Sequence, residues 1–103
     1  MTDPFASVAE HYDIMIDWPA RLAAERPFFA WLFQQAQVRR VLDIGCGTGH
    51  HARVMAEMGA EVLGIDPSQP MIERAQTLTG GDNPAFFLLG RKPSNHGIKA
   101  AGI

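Results

Sequence analysis

Cysteine is nearly absent from this 103-residue chain: Cys46 stands alone, so no internal disulfide can form. A single thiol is the usage of a reducing compartment, and a cytoplasmic location is expected. No apolar run approaches the roughly twenty residues of a membrane span, and no basic stretch followed by an apolar one opens the chain. Neither a membrane partner nor a secretory signal is therefore expected. Lysine is missing from residues 1–90, which carry six arginines and all eleven acids. A formal net charge of −2 leaves no electrostatic footprint for nucleic acid. No Cys/His cluster exists, and the adjacent His50 and His51 would not face one direction on a helix, so no metal site is expected. With 47% hydrophobic and 19% charged residues, the chain reads as one globular domain at most.

What is present is concentrated in Val41-Leu42-Asp43-Ile44-Gly45-Cys46-Gly47-Thr48-Gly49-His50-His51. A short apolar strand runs into three alternate glycines and then a helix. Glycine lets the backbone take positive φ and approach a ligand closely, and the first N–H groups of the helix point into the same space. Asp66 follows about twenty residues later, at the end of a second apolar run, where a carboxylate can hold a ribose diol. A dinucleotide fingerprint would space its glycines Gly-x-Gly-x-x-Gly, and a P-loop would need Gly-Lys-Ser/Thr. Here the pattern is Gly45-x-Gly47-x-Gly49 with no lysine nearby.

Around this motif the pattern predicts alternating elements. Residues 5–17 have helical spacing through Phe5, Val8, Ala9, Tyr12 and Ile16. Pro19 suits a helix start, and Pro27 is expected to break or kink that helix into Pro19–Arg26 and Pro27–Gln37. Strands are expected at Arg40–Ile44, Glu61–Ile65 and Ala85–Leu89, the last suited to burial on both faces. Helices are expected at Gly49–Met58, capped by Thr48 and stopped by Gly59, and from a Ser68 cap to about Leu78. Strands alternating with helices argue a parallel α/β sheet.

Asp43-x-Gly45-x-Gly47-x-Gly49 after a strand resembles motif I of the class I S-adenosylmethionine-dependent methyltransferases. Val62-Leu63-Gly64-Ile65-Asp66-Pro67-Ser68-Gln69-Pro70-Met71-Ile72-Glu73-Arg74-Ala75 is similar to that family's second segment. The resemblance covers about residues 8–90 and is closest to the small-molecule type. It implies a Rossmann-like parallel sheet with helices on both faces, of which this chain holds the first three strands in spatial order 3-2-1 behind amino-terminal lid helices. The implied divisions are a helical lid at 1–37, a cofactor-binding half at 38–90 and an atypical tail at 91–103, expected to be disordered. The implied cofactor is S-adenosylmethionine and the partner a small-molecule methyl acceptor.

The resemblance also assigns roles. Gly45, Gly47 and Gly49 would wrap the methionine and ribose parts of the cofactor. Asp43 would brace the loop or face the cofactor's ammonium group. Asp66 would accept from both ribose hydroxyls, with helix capping as its other reading. Ile65 and Met71 would flank the adenine, and Met71 is equally suited to plain core. Tyr12 and Arg21, from the lid, would hold the cofactor carboxylate, with lid packing and a surface arginine as the alternatives. No catalytic base is assigned. Two other functions stay open: a non-catalytic fragment with weak or no cofactor binding, and an NAD-type nucleotide-binding module. With only three strands, Val41–Ile44 would lie at a sheet edge, where self-association is expected.

Overall fold

The structure is a computed structural model and describes Ala9, Glu10, Asp13, Ile14 and residues 16–90. Tyr12, most of the helix expected at 5–17, and the tail at 91–103 lie outside the described residues; Ala9, Glu10, Asp13 and Ile14 are helical.

Six elements follow: α1 (Trp18–Ala36), β1 (Arg40–Ile44), α2 (His50–Glu57), β2 (Glu61–Asp66), α3 (Gln69–Leu78) and β3 (Ala85–Leu88). Asp17 caps α1 by accepting from the Ala20 N–H at 3.1 Å, with Pro19 in the first turn. The break expected at Pro27 does not occur. One helix runs through it, because the carbonyl that proline leaves unpaired belongs to Ala23, and Ala23 and Pro27 are both exposed to solvent. Ser68 caps α3 as expected, accepting from Met71 N–H at 3.4 Å. Thr48 does not cap α2. Gly49 holds the N-cap position at φ +86 with no side-chain bond, and the Thr48 hydroxyl is directed elsewhere.

The three strands are parallel in the order β1-β2-β3, which is the expected 3-2-1 arrangement. Val41 pairs with Val62, and Gly64 with Phe86. Successive right-handed crossovers that step in one direction put their helices on the same side. The core accordingly lies on one face, where Ala52 and Met55 of α2 and Ile72 and Ala75 of α3 meet Val62 and Phe86. The expectation of helices on both faces is thus met on one face only among the described residues. The other face carries Leu42 and Ile44, which are 56% and 69% exposed. For the same reason β3 is not buried on both faces: Phe86 is buried, while Ala85, Phe87 and Leu88 are half-buried.

Candidate functional site at the carboxyl ends of the strands

The turn after β1 folds back onto β2. The N–H groups of Gly45 and Cys46 both donate to the Ile65 carbonyl, at 2.8 and 3.0 Å. All three motif glycines take positive φ, +73, +57 and +86 for Gly45, Gly47 and Gly49. Their surroundings differ. A Cβ on Gly45 or Gly47 would meet nothing within 4 Å, whereas one on Gly49 would stand 2.6 Å from the Phe86 ring. The first two glycines keep space open above the strand ends; the third lets the chain pass the core. Gly64 belongs with Gly49, since a Cβ there would come 2.7 Å from Phe86. Gly64 did not stand out in the sequence, although a glycine at a buried strand position beside an aromatic partner is the signal for it.

Asp66 is 9% exposed, and its carboxylate accepts the Gly47 N–H at 3.0 Å and the Ser68 N–H at 2.9 Å. It therefore clamps the glycine loop to the start of α3. A carboxylate has about four lone-pair directions, so acceptor capacity remains for a ligand. Asp43 lies half-buried on the adjacent strand. Burial pushes its carboxyl above the ordinary value and the charge of Asp66 adds to this, while His51 opposes both. Cys46 is pushed up to about 12 by burial and by these two acids, so its thiol is not a nucleophile near neutral pH.

The amino-terminal side is organised by Asp13, to which the sequence assigned no role. Its Oδ1 accepts from Thr48 Oγ1 at 2.6 Å and His50 Nε2 at 2.9 Å, and its Oδ2 accepts from Arg74 Nε at 3.1 Å. Burial alone would raise the Asp13 carboxyl, but the bonds from Thr48, His50 and Arg74 outweigh it and hold the group below the usual carboxylate range. Trp18, buried at the start of α1, stacks on His50 with ring centroids 4.3 Å apart. No short-range pattern links residue 13 to residues 48, 50 and 74, so this cluster was not visible in the sequence. Arg21 is exposed, paired with Glu25 at 2.9 Å and placed over the Trp18 ring at 5.3 Å. Glu25 in turn accepts from His51 Nε2 at 2.6 Å.

His50 gives a pH-dependent expectation. Burial lowers its pKa below the ordinary 6.5, against the raising effect of Asp13. The ring is therefore neutral near pH 7, and Nε2–H donates to the carboxylate. The unfolded chain protonates His50 near 6.5 and the folded chain only at lower pH. Its contribution to stability is complete above 6.5 and is lost as pH falls through the folded value. An NMR titration of the His50 ring should show a midpoint below 6.5. A midpoint above it would mean that the Asp13 contact is a charged pair.

These groups line a cavity of about 80 Å³ formed by residues 45–51, Asp43 and Trp18. Arg21 does not line it. Ile65, half-buried, is the penultimate residue of β2, just before Asp66, and Met71, also half-buried, lies in the first turn of α3. A larger depression of about 280 Å³ lies between Arg53 and Glu57 of α2 and the segment from Thr79 to Pro84 that leads into β3. Neither strand-end acid nor any motif glycine lines it. The smaller cavity is the better candidate, because ligands of open parallel sheets bind at the carboxyl ends of strands. Among the described residues, no group of three or more His, Cys, Asp or Glu could hold a metal ion, and no helix is long and apolar enough to cross a membrane.

A parallel 3-2-1 sheet with alternate glycines after its first strand and a buried acid ending its second is the cofactor side of the class I methyltransferase architecture. Residues 41–90 match the family model described as a methyltransferase domain. The chain is 41% identical over 66 residues to a glycine/sarcosine N-methyltransferase of Parasynechococcus marenigrum, a match covering 64% of this chain and 23% of that protein. It is 46% identical over 56 residues to a tRNA U34 carboxymethyltransferase of Photobacterium profundum, covering 50% of this chain and 17% of that one. Among solved structures, magnesium protoporphyrin IX methyltransferase of Synechocystis PCC 6803 with bound S-adenosylhomocysteine superimposes with a TM-score of 0.53 at 29% identity, covering 66% of this chain and 34% of that chain. Together these matches support a class I S-adenosylmethionine-dependent methyltransferase, to whose amino-terminal part the chain is similar. It spans about a quarter or less of the length of the curated relatives it matches.

Proposed function

We propose that the domain represented here transfers a methyl group from S-adenosylmethionine to a nucleophilic atom of a small molecule, in the cytoplasm. The observation that carries this reading is the open space over Gly45 and Gly47, beside the buried acid of β2. When bound, S-adenosylmethionine would supply a methyl group already activated for transfer by its attachment to a sulfonium. The chain's own residues would hold and orient the donor. Gly45 and Gly47 let the backbone approach, and Gly49 completes the turn. Asp66 uses its remaining acceptor capacity on the ribose diol. Asp43 offers negative charge to the ammonium group across a cavity sized for the amino-acid end alone. Ile65 and Met71 supply apolar flanks for the adenine. Tyr12 and Arg21 are proposed for the cofactor carboxylate, and for Arg21 this means leaving Glu25. The proposed divisions remain a lid at 1–37, a cofactor half at 38–90 and a separate tail at 91–103. The name of the glycine/sarcosine relative makes a small amine the first acceptor to try.

Calorimetric titration tests the cofactor assignment. S-adenosylhomocysteine should bind with one-to-one stoichiometry, and NAD should give no heat. Binding of NAD in preference to S-adenosylhomocysteine would overturn the assignment.

A further inference from the structure

We propose that Asp13 is a positioning residue that locks the amino-terminal segment over the glycine loop and sets that loop for cofactor. The inference rests on reading the loop as the cofactor loop. Three elements converge on one carboxylate: the loop through Thr48, α2 through His50 and α3 through Arg74. Asp13 is 35 residues from Thr48 and 61 from Arg74 along the chain, so the bonds fix tertiary structure and not a local turn. The side chain is 11% exposed, and water competes little for these contacts.

The loop is thereby held from two sides. Asp66 takes the Gly47 N–H from the β2 side, and Asp13 takes the adjacent Thr48 hydroxyl from the amino-terminal side. Thr48 is 1% exposed, and its carbonyl also accepts from Arg53 Nη1 at 2.8 Å. The Gly47 N–H, the Thr48 hydroxyl and the Thr48 carbonyl are thus occupied before any ligand arrives, while the space above Gly45 and Gly47 stays open. Such a loop loses little conformational freedom on binding, and preorganisation of this kind raises affinity. The stack of Trp18 on His50 continues the same closure: the residue that bonds Asp13 also supports the start of α1.

The test uses the full chain and three variants, Asp13→Ala, Asp13→Asn and Arg74→Gln. Asparagine keeps one acceptor oxygen for Thr48 or His50 but loses the charge facing Arg74. Arg74→Gln removes one donor and leaves Asp13 in place. Two readouts are taken. Amide exchange without ligand compares Gly47 and Gly49 with Val62 in the sheet. Calorimetry and stopped-flow fluorescence give the affinity and release rate of S-adenosylhomocysteine. Asp13→Ala should speed exchange at Gly47 and Gly49 about tenfold while Val62 keeps its protection, and should weaken binding about tenfold, mainly through faster release. Asp13→Asn and Arg74→Gln should fall between it and the wild type in both readouts. Equal exchange gains at Val62 would mean that Asp13 serves global stability only and would overturn the proposal. So would loop exchange and affinity within twofold of wild type in all three variants. If the wild-type chain itself fails to bind S-adenosylhomocysteine, the cofactor reading falls and takes the positioning role with it. Binding retained by wild type and variants alike sinks the positioning role alone.

Discussion

Replacing Asp66 with alanine is expected to abolish measurable S-adenosylhomocysteine binding and to lower the stability of the domain in the same step. The carboxylate is 9% exposed and holds two backbone N–H groups, Gly47 at 3.0 Å and Ser68 at 2.9 Å. Each hydrogen bond to a charged group contributes about 1.5–3 kcal/mol net, and losing both leaves two donors without their acceptor. A loss of about 3 kcal/mol or more is expected, set against the roughly 5–15 kcal/mol that separates a folded domain from its unfolded chain. Binding suffers twice, once through the lost contacts to the diol and once through a loop no longer fixed at Gly47. Asp66→Asn separates the two effects. Asparagine retains one acceptor for one of the two N–H groups and should recover part of the stability, while its amide nitrogen cannot accept from the diol. Urea unfolding midpoints and calorimetry on both variants check this. An alanine variant with unchanged midpoint and unchanged affinity would reduce Asp66 to a surface acid.

The site of the glycine turn and the cap at Ser68 were legible because each depends on neighbours within a few residues; the strand order was legible only through the resemblance to the methyltransferase family. Alternate glycines permit positive φ at a strand end, and a serine three residues before Met71 caps the helix that follows it. Asp66 was legible as a site residue by position, but its bond to Gly47 was not, because that bond exists only once β1 and β2 pair. The same limit hid Asp13. Its partners lie on three elements brought together by the crossovers, and an aspartate inside a short helical pattern reads as a solvated acid when taken alone. Pro27 misled for a different reason. Proline disfavours a helix interior locally, but the cost is tolerable where the freed carbonyl faces solvent, and exposure at Ala23 is a tertiary property. Thr48 misled in the same way: its hydroxyl donates to Asp13, 35 residues away, and accepts no bond from the first turn of α2.

Substituting alanine for each glycine in turn should split them into two groups with opposite consequences. Gly49→Ala is expected to be the most damaging to the fold. At φ +86 an L-residue is strained by about 1–2 kcal/mol. The new methyl would also stand 2.6 Å from the Phe86 ring and 2.9 Å from Arg53 Nη1. Neither neighbour moves freely, since Phe86 is 5% exposed within the core and Arg53 is bonded to the Thr48 carbonyl. Forcing an extra methyl into a packed core adds about 1–3 kcal/mol, so a total near 3 kcal/mol is expected. Gly64→Ala lacks the φ strain but meets the same ring at 2.7 Å and Cys46 Sγ at 3.0 Å, so it should fall below Gly49→Ala in cost. Gly47→Ala carries only the strain of φ +57, with nothing within 4 Å of its methyl. Its unfolding midpoint should drop least, yet its methyl stands in the space proposed for cofactor, and S-adenosylhomocysteine affinity should fall at least as far as in any folded variant of the set. Phe86 connects the first two substitutions. Adding Phe86→Leu to Gly64→Ala opens room for the new methyl, so the pair should cost less than the two single changes added together. A strictly additive pair would show that the Phe86 ring is not what requires glycine at 64. Equal losses of stability at Gly47 and Gly49 would show that φ strain, and not the approach to the core, governs both.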